Sequence, residues 1–127
     1  MTDAVDQKIV WILDDDPGMR EALARVLNLY GFYPRSFSSI RDFYARAKPE
    51  QAVCLILDID LHGQSGIDLK RQLSGSAPGL PVIFITGGDC EATRLAVEQV
   101  GCAAYLPKPF GSKALLNAIE TAIGMRN

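Results

Sequence analysis

The chain has 127 residues, 48% of them hydrophobic, which predicts one domain with a hydrophobic core of its own. Because its net charge is −2, its pI is about 5.3 and it has no basic run, we expect no direct nucleic-acid binding by this chain. No apolar run approaches the ~18–20 residues that a membrane span needs, and residues 1–8 are too polar for a signal peptide. We therefore expect a cytoplasmic protein that does not bind membranes.

Five short apolar runs alternate with segments of helical periodicity. The runs predict buried strands at residues 9–13, 32–37, 52–57, 81–85 and 103–106. Helices are predicted after them at about 17–30, 40–48, 67–73, 92–100 and 112–123, with a Ser/Gly/Pro loop at 74–79. Asp16 before Pro17 suits the start of the first helix, and Gly31 and Pro49 suit the ends of the first two. Ser38 or Ser39 suits the start of the second. This alternation predicts an α/β domain whose parallel sheet is covered by helices on both faces.

Four of the predicted strands end in side chains that bind metals or phosphate. Asp14 and Asp15 follow the first strand, Asp58 the third, Thr86 the fourth and Lys108 the fifth. Ligands of an open parallel sheet bind beyond the carboxyl ends of its strands, so these side chains are expected to meet. Carboxylates ~4 Å apart repel each other by roughly 1–4 kcal/mol per pair, and a hard cation such as Mg²⁺ offsets that repulsion. The pattern predicts a magnesium site that places a phosphoryl group on an aspartate.

These residues, in this order, resemble the receiver domain of two-component response regulators. The matching positions are the Asp14-Asp15 pair, Asp58, Ser65-Gly66, Thr86 and Lys108-Pro109-Phe110. The intervals match as well, with 44 residues from Asp14 to Asp58, 28 to Thr86 and 22 more to Lys108. The resemblance covers about residues 8–123 of a single domain, 1–127. It implies a flavodoxin-like (βα)5 fold with sheet order 2-1-3-4-5, and the segments around residues 31–32, 84–87 and 106–110 are most similar to receivers of the nitrogen-fixation-regulator type.

The resemblance implies a chemical role for each matching residue. Asp58 is expected to accept a phosphoryl group from a histidine of a sensor kinase, with Mg²⁺ as cofactor. The expected metal ligands are Asp15 and Asp58 directly, Asp14 through a water molecule, and the backbone carbonyl of Asp60. Lys108 is expected to pair with the phosphoryl oxygens.

The resemblance also implies a signalling switch rather than an enzyme, although the domain would promote its own phosphorylation and dephosphorylation. Thr86 is expected to donate its hydroxyl to a phosphoryl oxygen, and Tyr105 to turn inward when Thr86 moves. Pro109 is expected to follow a cis peptide bond. The fourth predicted helix, fifth strand and fifth helix would form the face that controls an output domain or partner, and through which a homodimer would form.

Two residues depart from the family's pattern. His62 stands four residues after Asp58, where proline is usual, and on its own it reads as a solvated loop residue. Asp60 lies two residues after Asp58, where its carboxylate would face the phosphoryl group. We hypothesise that this carboxylate alters the lifetime of the acyl phosphate, either by repelling the attacking water or by orienting it.

Two other functions remain open at this point. The Asp58-Ile59-Asp60 run also resembles the DxD motif of haloacid-dehalogenase-type phosphatases, although that motif usually follows the first strand and here follows the third. A degenerate receiver that acts only by binding is the other. The chain is either a stand-alone receiver or part of a longer regulator.

Overall fold

The computed structural model describes residues 8–47 and 52–126, apart from the side chain of Arg126. The strands in these ranges are β1 (Ile9–Leu13), β2 (Tyr33–Phe37), β3 (Ala52–Asp58), β4 (Asp60–Leu61), β5 (Gln64–Ser65), β6 (Val82–Thr86) and β7 (Ala104–Pro107). The helices are α1 (Pro17–Leu29), α2 (Ile40–Arg46), α3 (Gly66–Ser76), α4 (Glu91–Val100) and α5 (Ser112–Arg126). Across the described ranges, no helix is both long and apolar enough to cross a membrane.

Five strands form one parallel sheet in the order β2-β1-β3-β6-β7. Because β6 and β7 are the fourth and fifth predicted strands, this is the expected 2-1-3-4-5 order, and the flavodoxin-like fold is confirmed. The strand order reverses between β1 and β3, where Leu13 pairs with Leu57. A ligand crevice of this topology lies beyond the carboxyl ends of the strands at that reversal.

The sheet separates two hydrophobic layers, because successive side chains of a strand point to opposite faces. Val10 and Ile12 of β1 face a layer formed with α1 and α5. Trp11 and Leu13 face the other layer, formed with α2, α3 and α4. Buried on both sides, the sheet provides a rigid edge for the polar residues that follow its strands.

Local signals set the ends of the first two helices. The Asp16 carboxylate accepts the amide two residues on, Pro17 is the first residue of α1, and Gly31 follows the helix with φ 88°. These ends agree with the sequence prediction. Ser39, rather than Ser38, caps α2 through its hydroxyl. The expected stop at Pro49 lies outside the described residues.

Helix α3 is longer than its sequence predicts. The loop expected over residues 74–79 is wrong for its first part, since α3 continues to Ser76. The Ser74 hydroxyl donates to the Lys70 carbonyl at 3.0 Å, and the Ser76 hydroxyl donates to the Gln72 carbonyl at 3.2 Å. Such bonds to the carbonyl four residues back let serines remain in a helix.

The segment between Asp58 and α3 forms a hairpin that the sequence analysis described only as a loop. Strands β4 and β5 pair antiparallel around His62 and Gly63. Both turn residues have positive φ, 45° and 81°, as a two-residue type I′ turn requires. Proline cannot adopt this conformation because its ring fixes φ near −65°. The histidine at the position where proline is usual therefore fits the hairpin.

Candidate functional site

The carboxyl ends of β1, β3 and β6 bring three buried polar residues to one edge of the sheet. Asp14 is fully buried, Asp58 is 4% exposed and Thr86 is 1% exposed. Asp58 and Thr86 are the last residues of β3 and β6, and Asp14 comes directly after β1, so the apolar strand before each residue fixes where its side chain starts. Lys108 follows β7 and reaches the same edge, where its backbone amide donates to the Thr86 carbonyl at 2.7 Å.

Three carboxylates cluster there. Asp14, Asp15 and Asp58 each offer an oxygen, and these oxygens lie within 4.8 Å of one another. The Asp14 carboxylate also accepts the backbone amide of Asp16 at 2.9 Å, and the Asp58 carboxylate accepts that of Asp60 at 3.3 Å. Each amide binds one oxygen of its carboxylate and so helps to orient that carboxylate.

Lys108 is the cation of this cluster. Its ammonium nitrogen lies 3.2 Å from Oδ2 of Asp14 and 3.4 Å from Oδ2 of Asp58. Burial alone would lower the pKa of Lys108, but the charges of Asp14 and Asp58 outweigh it and the pKa is raised. The lysine is therefore firmly protonated, in a position between two carboxylates.

Asp58 is held in an environment that resists its ionisation. Burial raises the pKa of Asp58 to about 6, the negative charge of Asp14 adds to this rise, and Lys108 opposes it. With all three carboxylates ionised, the cluster and Lys108 together carry two net negative charges. One divalent cation would neutralise them, and carboxylate oxygens are the donors that hard divalent ions prefer, so these residues fit such an ion.

Thr86 and Asp60 border the site. The Thr86 hydroxyl accepts the backbone amide of Gly88 at 2.9 Å. A Cβ on Gly88 would lie 3.7 Å from an Asp60 carboxylate oxygen and 3.8 Å from the Thr86 hydroxyl oxygen. Both oxygens therefore face the same side of Gly88. The Asp60 side chain is exposed and lies near the hydroxyl that borders the cluster.

Gly66 lets α3 begin directly against the end of β3. A Cβ there would overlap the carbonyl oxygen of Asp58 and come within 3.1 Å of the Ile59 Cα. The Gly66 amide donates to the Ile59 carbonyl at 2.7 Å, and the Ser65 hydroxyl caps the helix. The Ser65-Gly66 pair therefore supports the backbone that carries Asp58.

Tyr105 lies in β7, and its hydroxyl is bound outside the site. It donates to a carboxylate oxygen of Asp89 at 2.7 Å, and Arg94 of α4 binds the same carboxylate through two nitrogens at 2.9 and 2.7 Å. Burial raises the pKa of Tyr105 to about 12, and the bond to Asp89 contributes to the rise. Asp89 was not predicted from the sequence, in which the available signal is an acid five residues before an arginine, in the loop after Thr86.

Two further predicted residues have clear positions. The peptide bond between Lys108 and Pro109 is cis. His62 lies at the tip of the β4–β5 hairpin and its side chain is 82% exposed, as expected of a solvated loop residue. Its backbone amide donates to Oδ2 of Asp15 at 2.9 Å, and its Nδ1 lies 3.3 Å from the same oxygen. The sequence offered no signal for this contact, because the hairpin that creates it was not predicted.

The chain is similar to known signalling proteins over nearly its whole length. Residues 10–120 match the family model described as the response regulator receiver domain. "Nodulation protein W" of Bradyrhizobium diazoefficiens is 35% identical over 122 residues, which are 95% of this chain and 53% of that protein. "Response regulator protein TodT" of Pseudomonas putida is also 35% identical, over 91% of this chain and 51% of that protein. The chain spans about half the length of these relatives. Because the two relatives are equally identical to this chain, they support the expected nitrogen-fixation-regulator type of receiver only loosely.

A solved structure shows the same architecture. A Burkholderia pseudomallei response regulator, crystallised with a phosphorylated aspartic acid, a calcium ion and citrate, superposes with a TM-score of 0.82 and 25% identity. The match covers 93% of this chain and 69% of that one. The comparisons support the receiver interpretation over the phosphatase alternative. With its sheet order, its buried carboxylates at the strand ends and a family match over most of its residues, the chain belongs to the response regulator receiver domains.

Proposed function

We propose that this chain is the phosphoacceptor receiver of a two-component phosphorelay, and that Asp58 is the phosphoacceptor. The observation that carries the proposal is the placement of Asp58, buried between Asp14 and the Lys108 ammonium at the mouth of the sheet. The phosphorylated aspartic acid of the Burkholderia pseudomallei relative supports it.

The reaction is an in-line displacement at phosphorus. An ionised Asp58 oxygen attacks the phosphorus of a phosphohistidine on a sensor kinase. The P–N bond breaks, its electron pair stays on the histidine nitrogen, and Asp58 becomes an acyl phosphate. Lys108, 3.4 Å from Asp58, is placed to pair with the transferred phosphoryl oxygens. On hydrolysis, water attacks the phosphorus, the bond between phosphorus and the Asp58 oxygen breaks, and its electron pair returns to the Asp58 carboxylate as inorganic phosphate is released.

The proposed metal is Mg²⁺; Asp15 and Asp58 would hold it directly, Asp14 would hold it through a water molecule, and the backbone carbonyl of Asp60 would complete the protein ligands. When bound, it neutralises negative charge on the transferred group and on the three carboxylates. The positive charge of the ion would also favour the ionised, nucleophilic form of Asp58. Without that charge, burial and the negative charge of Asp14 raise the pKa of Asp58 to about 6. Asp60 adds an exposed carboxylate next to the reaction, and we expect it to influence how long the acyl phosphate lasts.

Phosphorylation would be read through Thr86 and Tyr105. The Thr86 hydroxyl, which accepts the Gly88 amide, would turn to donate to a phosphoryl oxygen. Tyr105 would leave Asp89 and turn inward into the space that Thr86 vacates. This is a shift between two arrangements of the same fold, which phosphorylation favours by bonding better to one of them.

The face that changes would be formed by α4, β7 and α5. Relatives of twice the length carry further sequence, so we propose that this face controls an output domain or a protein partner. A homodimer through the same face is the proposed form of the active state. The proposed phosphodonor is a sensor histidine kinase.

The test is intact mass after incubation with Mg²⁺ and acetyl phosphate. Wild-type protein is expected to gain one phosphoryl group, whereas Asp58→Asn, or wild type in EDTA, gains none. Asp68→Asn is a matched control, since Asp68 is an exposed aspartate on α3 that pairs with Arg71 away from the site. The proposal is wrong if Asp58→Asn still gains a phosphoryl group. It is also wrong if folded wild type gains none, either from acetyl phosphate or from a phosphorylated sensor kinase.

A further inference from the structure

Arg20 of α1 bonds to the backbone of the carboxylate cluster, where the proposed function gives it no role. Its Nη1 donates to the carbonyl oxygen of Asp14 at 2.7 Å, a short distance typical of a bond with a charged donor. The first helical bond of α1 runs from the Arg20 amide to the Asp16 carbonyl. Because the side chains of a helix point back toward its first turn, this position directs the partly buried guanidinium toward Asp14.

The Asp14 carbonyl lies beyond the ladders of the main sheet. β1 ends at Leu13, whose partners are Phe37 of β2 and Leu57 of β3. Asp14 comes directly after this last pair and is fully buried. A buried carbonyl normally needs a hydrogen-bond donor, and the ladders do not supply one past their last pair. The side chain of Arg20 supplies it instead.

The bond from Arg20 acts on two proposed metal ligands at once. The peptide unit between Asp14 and Asp15 is planar, so fixing the direction of its carbonyl fixes the plane that joins their Cα atoms. A rotation of this plane changes the backbone angles on both sides and moves both side chains. Both carboxylates belong to the cluster whose oxygens lie within 4.8 Å of one another. Arg20 therefore restrains the relative position of two members of that cluster.

Arg20 does this without covering the carboxylate oxygens. Among the described residues, it forms no ion pair with a carboxylate, although the cluster follows the same strand end. Lys108, in contrast, contacts oxygens of both Asp14 and Asp58. A cation on those oxygens competes with a metal ion for them, whereas a cation on the neighbouring carbonyl does not. The arrangement of Arg20 thus suits a residue that keeps ligands ready for an ion.

We propose that Arg20 is a positioning residue of the metal site, which holds the peptide between Asp14 and Asp15 in the orientation that suits Mg²⁺. This inference rests on the metal site of the proposed function and adds a residue outside its ligand set. Partners that orient metal ligands contribute about 10- to 100-fold in metal affinity. We expect the lower end of this range, because the amides of Asp16 and His62 also bind these two carboxylates.

The test compares substitutions in one helix. Arg20→Met keeps the apolar length of the side chain and removes its donors. Arg20→Gln ends two bonds short of the guanidinium nitrogens and gives a second variant, whereas Arg20→Lys keeps one cationic donor in place of the one nitrogen that makes the bond. Arg25→Met is the matched control, since the Arg25 side chain is 75% exposed and pairs with Glu21 at 3.9 Å. Circular dichroism checks that each variant is folded.

NMR titration of ¹⁵N-labelled protein with Mg²⁺ alone measures the affinity. Arg20→Met and Arg20→Gln are expected to raise the dissociation constant for Mg²⁺ about 10-fold. Arg20→Lys is expected to fall between them and wild type, and Arg25→Met to match wild type. No rise in either folded variant that lacks the donor, or an equal rise in Arg25→Met, would overturn the inference.

Phosphorylation by acetyl phosphate separates the orientation of ligands from contact with the phosphodonor. When Mg²⁺ far exceeds its dissociation constant, the bound ion itself fixes the carboxylates. The phosphorylation rate of Arg20→Met is then expected to return to that of wild type, so that only the Mg²⁺ concentration for half-maximal rate is changed. A rate that stays low in saturating Mg²⁺, with unchanged affinity for the ion, would show that Arg20 acts on the phosphoryl group and not on the ligands.

The wild-type protein alone tests the proposed function. If wild type binds Mg²⁺ and is phosphorylated on Asp58, but Arg20→Met has the same affinity for the ion, only the role of Arg20 fails. If wild type binds no Mg²⁺ and takes up no phosphoryl group, the metal site itself fails, and the role of Arg20 fails with it.

Discussion

The raised pKa of Asp58 predicts that this residue destabilises the metal-free fold at neutral pH. The pKa of Asp58 is about 6 in the folded chain, against an ordinary value of 3.8. A carboxyl group whose pKa rises on folding contributes its full stability below 3.8 and loses it as the pH rises through about 6. Replacing Asp58 by asparagine removes this loss, because the amide cannot ionise. The variant is therefore expected to gain stability relative to wild type as the pH rises.

The size of the effect follows from the two pKa values. Ionisation at a pKa of about 6 instead of 3.8 changes the free energy of unfolding by about 2 kcal/mol between pH 4.5 and pH 7.5. Over that pH range, the free energy of unfolding of wild type is expected to fall by this amount relative to that of Asp58→Asn. Effects from titrating groups away from the site, such as Asp42 with its lowered pKa, are common to both proteins and cancel in the difference.

The assay is urea unfolding of both proteins in EDTA at the two pH values. Trp11, the single tryptophan, packs against Phe37 and Phe43 in the core, so its fluorescence reports global unfolding. Added Mg²⁺ at pH 7.5 is expected to stabilise wild type more than the variant, since it binds the ionised Asp58. A stability difference that stays constant with pH, or that moves in favour of wild type as the pH rises, would refute the reasoning.

Three further perturbations test other parts of the site. Gly66→Ala is expected to lower the free energy of unfolding by about 1–3 kcal/mol, because the added Cβ meets the backbone of Asp58. Gly75→Ala, in open space on the same helix, is the control and is expected to be neutral or stabilising. Urea unfolding measures both variants. Asp60→Asn is expected to shorten the life of the acyl phosphate about 5-fold, because it removes roughly 1 kcal/mol of repulsion between the Asp60 carboxylate and the negative charge that develops as water attacks; mass measured after the phosphodonor is removed gives the rate. Asp89→Ala is expected to speed phosphorylation by acetyl phosphate about 2- to 10-fold, since it removes the hydrogen bond of about 0.5–1.5 kcal/mol that keeps Tyr105 outward.

Each of these has a result that contradicts it. Equal stability losses for the two glycine variants would mean that the contact with β3 is not what matters. Equal dephosphorylation rates would exclude a role for the Asp60 charge. For Asp89, the matched control is Asp68→Ala, which breaks a comparable surface ion pair of 2.6 Å elsewhere. The same acceleration in both variants, or none in Asp89→Ala, would count against a restraint on Tyr105.

The sequence predicted the main sheet and the meeting of its polar ends because both depend on strong, repeated signals. Five apolar runs of strand length, separated by helical periods, specify a parallel sheet, and a parallel sheet specifies that Asp14, Asp58 and Thr86 meet. The hairpin was missed because strands of two residues have no periodicity to detect. The contact of His62 with Asp15 depends on that hairpin, and the contact of Tyr105 with Asp89 depends on a side-chain rotation, so neither is encoded in a local pattern.

Helices α4 and α5, on either side of β7, differ in how many apolar side chains they bury, and this difference determines which part of the fold can move. In α4, only Val97 is buried, and burying a valine side chain is worth about 1.5–3 kcal/mol. In α5, Leu115, Ala118, Ile119 and Ala122 are all buried against the opposite layer. Displacing α4 therefore costs far less than displacing α5, and the sheet between the layers isolates one from the other. Within the face formed by α4, β7 and α5, α4 is therefore the part that moves at the lowest cost, and α5 is the part that moves least.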